Sequence, residues 1–168
     1  MRVLGQRRFG GVEVLEELEL PVPQPTGADL LVRMEAVALN PVDTKVRSNW
    51  NGFGELQSGD PVITGWDGAG VVEAVGPLSD GRFRPGDAVY FAGSVARAGC
   101  QRQFALVDSR LVGRRPQRLT AAEAAALPLT SLTVWEGMLD RDGIPLQPGG
   151  AGATVLLIGG AGGVGSNA

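Results

Sequence analysis

Short apolar runs that alternate with polar residues, each closed by a glycine or proline turn, fill the first two thirds of this chain and restrict it to a β-rich fold. In Val12–Leu20 (VEVLEELEL), Val12, Val14, Leu18 and Leu20 share one face while Glu13, Glu17 and Glu19 take the other, the period of a half-buried strand. Leu30–Asn40 (LLVRMEAVALN) repeats the pattern, with Leu30, Val32, Met34 and Ala36 opposite Arg33 and Glu35. GWDGAGVVEAVG, from Gly65 to Gly76, reads as a turn feeding a strand over Val71–Val75. FRPGDAVYFAG predicts a turn and then a strand over Ala88–Phe91, and Gln101–Gly113 adds one strand or two. With 26 glycines and 11 prolines for turns, these short strands predict a compact β-barrel-like domain.

Helical signals are fewer. In NPVDTKVRS, Asn40 suits an N-cap and Pro41 the first helical position. Thr120 and Glu123 have capping-box spacing ahead of an alanine run. Pro128 should end or kink that helix, and a second is expected over Ser131–Leu139 with Leu132, Trp135 and Leu139 on one face. TVLLIGG then predicts a continuous apolar strand over Thr154–Gly159, of the kind buried on both faces of a parallel sheet.

Composition removes several function classes. The net charge is −3 and the only basic cluster is GRRPQR, Gly113–Arg118, so no nucleic-acid partner is expected. The chain has one cysteine, Cys100, and no histidine. An internal disulfide and a Ser-His-Asp triad are therefore impossible, and a conventional zinc site is not expected. No segment reads as a signal peptide or a membrane span, which predicts a cytoplasmic protein without a membrane partner.

Gly160, Gly162 and Gly165 in GAGGVG fit G-x-G-x-x-G. The first glycine permits a sharp turn, the second a close approach to a pyrophosphate, and the third tight packing of a following helix. The loop Gly160, Gly162, Gly163, Val164 and Gly165 is accordingly the candidate cofactor site. The other reading of the same residues is a flexible glycine-rich connection.

Five blocks in order, ALNPVDTKVR, GWDGAGVVEAVG, FRPGDAVYFAG, AAALPLTSLTVWEGM and VLLIGGAGGVGS, resemble the medium-chain dehydrogenase/reductase superfamily, and within it the zinc-independent quinone oxidoreductase branch. The resemblance extends to about Ser166. It implies a mainly β chain with helices: a GroES-like β-barrel catalytic domain over 1–119, connecting helices and loop over 120–150, and over 151–168 the first strand and glycine-rich loop of a truncated Rossmann domain. The chain is thereby expected to be the N-terminal half of a two-domain protein. Zinc members carry a cysteine in the NPVD region and a His-Glu pair in the GWDG region. Here Pro41, Trp66 and Asp67 stand there, the cysteine near PLTSLT is missing, and the four-cysteine structural lobe is absent.

What the resemblance implies is an NADPH-dependent, zinc-free reductase that passes hydride to a small-molecule quinone or enone. Asn40, Trp66 and Thr130 would line the catalytic site, with Thr130 also touching the cofactor. From the residues alone, Asn40 reads equally as a helix cap, Trp66 as a core aromatic and Thr130 as the N-cap of the second helix. Asp43 reads as a helix-start carboxylate, and Asp67 either as an acid/base residue or as a turn carboxylate capping backbone N–H groups. Lys45 is a candidate cleft residue, and Asn167 stands where relatives turn apolar. A second reading is a catalytically inert GroES-like fragment or interaction module that cannot bind cofactor alone. On either reading, the apolar strand needs cover, from a homo-oligomer partner or another chain.

Overall fold

The computed structural model describes residues 1–50, 60–144, 152 and 154–168. Of the strands among them, β1 (Arg2–Gly5) and β2 (Glu16–Glu19) pair antiparallel. β3 (Asp29–Ala38), β4 (Asp67–Val75), β5 (Ala88–Ala92), β6 (Phe104–Asp108) and β7 (Val112–Arg114) form an antiparallel sheet in the order β6-β3-β4-β5-β7. The alternation expected of β3 holds from Val32 on, although Leu31 is buried too; Leu30 and Val32 are fully buried and pack with Val72, Val89, Phe91 and Val107. Each such side chain stabilises the fold by roughly 1.5–3 kcal/mol.

β4 starts at Asp67, earlier than the expected Val71, so Gly68 and Gly70 of GWDGAG lie inside the ladder, while Gly65 stays in the turn before it with φ of 86°. Gly70 pairs with Met34 where the β3–β4 register shifts. A Cβ on Gly70 would run into the Arg33 carbonyl oxygen and lie 2.9 Å from Val32 Cγ1. These glycines allow two backbones to approach, which lets the ladder run through them.

VEVLEELEL divides. Val12–Val14 is a 3₁₀ turn with Val12 exposed, and only Glu16–Glu19 is strand. The reason lies in its partner: β1 is four residues long and pairs residue for residue with Glu16–Glu19. β1 itself carries no alternation long enough to see in sequence. It is held by Leu4 N–H donating to Gln101 O at 2.8 Å and by Gln103 N–H donating to Arg2 O at 3.1 Å.

The helices are α1 (Pro41–Ser48), α2 (Ala121–Ala125) and α3 (Pro128–Val134), the last continuing as a π-helix over Trp135–Arg141. Thr120 and Glu123 form the expected capping box, with Thr120 N–H donating to Glu123 Oε2 at 2.8 Å and Glu123 N–H to Thr120 Oγ1 at 3.3 Å. Buried Ala124 and Ala125 pack on Ala69 beside Ala36 and Ala38, small side chains that bring α2 close to the sheet. The helix expected over Ser131–Leu139 begins earlier, because Pro128 occupies the first position of α3, where its missing N–H costs nothing.

The chain divides into two units, Met1–Ala126 and Leu127–Ala168. In the second, residues 154–157 pair with no strand among the described residues, and Leu156 and Ile158 are 85% and 93% exposed. A parallel strand is stable only with neighbours that take up its N–H and C=O groups. No described helix is long and apolar enough to cross a membrane. Replacing Gly70 by alanine should cost about 1–3 kcal/mol in urea unfolding, the range for overpacking; stability within about 0.5 kcal/mol of wild type would refute the close-approach account.

Candidate functional site

The start of α1 builds one corner of the site. Asn40 is the N-cap in extended conformation, and its N–H donates to Asp43 Oδ2 at 2.7 Å. Asp43 N–H returns a bond to Asn40 O at 2.9 Å. The second oxygen of Asp43 accepts from Gly65 N–H at 2.7 Å, which ties the helix to the turn before β4. From the Asn40 side chain, Nδ2 donates to Asp67 Oδ2 at 2.8 Å. The helix-cap reading of Asn40 is seen, and its amide is held by the Asp67 carboxyl group.

Both carboxylates are buried, Asp43 at 7% exposure and Asp67 at 1%. Burial pushes the Asp43 carboxyl above its ordinary value, and the N–H groups of Asn40 and Gly65 offset only part of that. Cys100 lies between them, with Sγ donating to the Asp67 backbone oxygen at 3.3 Å. Its thiol is pushed up to about 12, first by burial and then by the negative charges of Asp43 and Asp67. Such a thiol is not a nucleophile at neutral pH.

Trp66 is 4% exposed, and its Nε1 donates to Arg97 O at 3.2 Å. Its ring also walls a groove of about 320 Å³ bounded by Asp60, Pro61, Ile63 and Arg97. It is thus a core aromatic with one edge on a groove. Arg97 is fixed in turn by a two-point pair with Asp29, at 2.8 and 2.7 Å. Lys45 stands over the Trp50 ring, 4.8 Å from its centre.

The second unit holds the other candidates. Thr130 is not the N-cap of α3, a position that Leu127 takes; it lies inside the first turn and its hydroxyl donates to Leu127 O at 3.0 Å. Asn167 Nδ2 donates to Thr130 Oγ1 at 3.1 Å and to Gly163 O at 2.8 Å, which fastens the glycine loop to the helix. The loop closes with Gly162 N–H on Gly159 O and Ser166 N–H on Gly162 O, both at 2.9 Å. A Cβ on Gly165 would lie 2.6 Å from Gly159 O and 2.7 Å from Gly160 Cα, so only glycine fits there. At Gly160 a Cβ would meet nothing within 4 Å, which leaves that backbone bare toward solvent. Val164 is partly exposed on the same loop, and no charged residue occurs from Gly143 to Ala168. A bare, uncharged turn of this kind suits an anion.

Asn40 and Trp66 thus belong to the first unit, and Thr130 and the loop to the second. Among the described residues no group of three or more His, Cys, Asp or Glu side chains is placed to hold a metal ion.

Sheet order, the capped corner behind β4 and the glycine loop together define a GroES-like module of the medium-chain dehydrogenase/reductase class. The chain belongs to the family described as alcohol dehydrogenase GroES-like domain, which matches residues 26–130. It is 38% identical over 152 residues to a zinc-type alcohol dehydrogenase-like protein of Staphylococcus epidermidis, covering 90% of this chain and 43% of that one. It is 36% identical over 157 residues to the chloroplast envelope quinone oxidoreductase homolog of Arabidopsis thaliana, covering 93% and 47%. A mycobacterial structure solved with NADPH superposes with a TM-score of 0.78 at 32% identity, over 99% of this chain and 47% of that one. The chain spans about half the length of the relatives it matches.

Sequence reasoning missed the Asn40–Asp67 bond and the Asn167 clasp. The first joins residues 27 apart in the chain, and no local spacing rule reaches that far. The second had one signal, Asn167 itself, a polar residue just after the glycine loop.

The raised Asp43 carboxyl carries a signed consequence. Its proton is held more tightly in the folded chain than in the unfolded one. Stability due to this group is therefore full below the ordinary carboxylate value and falls as pH rises toward the raised one. Urea midpoints of wild type and Asp43→Asn, compared across that window, should show wild type losing ground to the variant as pH rises; the opposite trend would refute it.

Proposed function

We propose that this chain is the substrate-side part of an NADPH-dependent reductase acting on quinones or enones without zinc. The observation that carries the reading is the chemistry of the Asn40 corner. The Asn40 amide is tied there to the Asp67 carboxylate, next to Trp66, whose indole bonds instead to the Arg97 backbone oxygen, in a chain with no histidine and a single buried cysteine. Alcohol oxidation needs a Lewis acid or comparable charge to hold an alkoxide, and these residue types do not compose a zinc ligand set.

The loop chemistry fits a dinucleotide. Gly160, Gly162, Gly163, Val164 and Gly165 would take the pyrophosphate, because the turn lacks both side-chain bulk and negative charge. When bound, NADPH supplies a hydride to the acceptor. The residues of this chain do the rest. Trp66 keeps one wall of the groove apolar, the Asn40 amide offers a hydrogen bond to an acceptor oxygen, and Thr130 holds the loop in register through Asn167. Charge developing on a carbonyl oxygen needs such a placed donor. The quinone oxidoreductase name of the Arabidopsis relative and the NADPH bound to the mycobacterial one support this choice of substrate and cofactor.

The test is to fuse residues 1–168 to the part of the mycobacterial relative beyond the matched region and follow NADPH consumption. Turnover is expected with a benzoquinone, unchanged by a chelator, and no ethanol oxidation. Alcohol oxidation that a chelator abolishes would overturn the reading.

A second reading, an inert module, is favoured by one observation: the apolar run at 154–158 pairs with no described strand and exposes Leu156 and Ile158. It predicts that the 168-residue chain alone leaves NADPH fluorescence unchanged at micromolar cofactor. Saturable binding in that range would sink it.

A further inference from the structure

The amide of Asn40 is the one polar side chain of the corner whose direction decides what it can recognise. An asparagine can offer either an oxygen or an NH₂, and its partners decide which. Here Nδ2 donates to Asp67 Oδ2 at 2.8 Å, so the NH₂ end faces the carboxyl group. The oxygen end lies toward the start of α1, in the capping-box arrangement with Asp43, whose own N–H bonds to the Asn40 backbone oxygen at 2.9 Å. One amide proton is used on Asp67, the oxygen faces the helix, and the group left over is the second N–H. Asp67 is 1% exposed and sits in the β3–β4–β5 ladder, across from Ala38 and Ala92. The sheet thus fixes its backbone, and burial confines its side chain.

We propose that Asp67 is a positioning residue: it turns the Asn40 amide so that the site presents a hydrogen-bond donor and selects ligands by an acceptor oxygen, such as the carbonyl of a quinone or enone. This rests on the proposed function for the identity of the ligand, and on the Asn40–Asp67 geometry alone for the positioning.

Two variants separate positioning from mere bridging. Asp67→Asn is isosteric but offers both donor and acceptor, so the Asn40 amide loses its fixed direction. The swapped pair Asn40→Asp with Asp67→Asn restores a hydrogen bond of reversed polarity and leaves only acceptor oxygens at position 40. In the ¹⁵N-labelled 168-residue chain, the Asn40 side-chain NH₂ should exchange with solvent about tenfold more slowly than a free amide. Asp67→Asn should abolish that protection and leave the backbone spectrum of the sheet in place. In the fused protein, Asp67→Asn should lower kcat with benzoquinone about tenfold or more with little change in KM. The swapped pair should recover thermal stability but not turnover.

An unprotected Asn40 amide in wild type, or a swapped pair that regains turnover, would overturn the proposal. The exchange measurement needs no catalysis. A fused protein inactive toward every quinone would therefore count against the proposed function, while amide protection still decides the positioning.

Discussion

The Asp43 carboxylate, buried between the start of α1 and the turn before β4, is the contact on which the site depends. One oxygen takes the Asn40 N–H and the other takes the Gly65 N–H. The helix cap and the GWDG turn are far apart in sequence, and this carboxylate sets their distance. Burying a carboxylate is costly unless hydrogen bonds satisfy it. That the Asp43 carboxyl is still pushed upward shows that desolvation outweighs its two donors. The corner is held by strong local bonds at some cost in stability, a common state of affairs at functional sites.

Around that corner the sheet supplies rigidity. β4 lies between β3 and β5, and its glycines let β3 approach closely at a register shift. Asp67 inherits this fixed frame as the first residue of β4. Asn40 follows just beyond the end of β3 and caps α1. Their side chains meet because strand ends that are neighbours in a sheet bring together residues that the chain keeps apart. In the second unit the clasp is of another kind: Asn167 joins Thr130 to Gly163 through two hydrogen bonds of its own amide.

Cys100 shows how a residue can sit at the centre of a site without chemistry. It is buried, its thiol is pushed up to about 12, and two neighbouring carboxylates discourage a thiolate. Its contribution is packing against the core and a weak bond to the Asp67 backbone.

Local chemistry was legible from the residues alone. The Asn40-Pro41 helix start, the Thr120–Glu123 capping box and the alternation of β3 beyond Leu31 all depend on neighbours within a few positions, and all are seen. The short strand β1, the entry of β4 through its glycines, the length of β2 and the loss of a ladder at 154–157 were decided elsewhere, by whether a partner strand lay alongside. The same holds for function. The sequence by itself determined which chemistries lack their residues, since no fold can supply a histidine that is not there. Only the tertiary structure decided which way the Asn40 amide faces, because its partner Asp67 comes from another strand, and hydrogen-bond direction is a property of the pair.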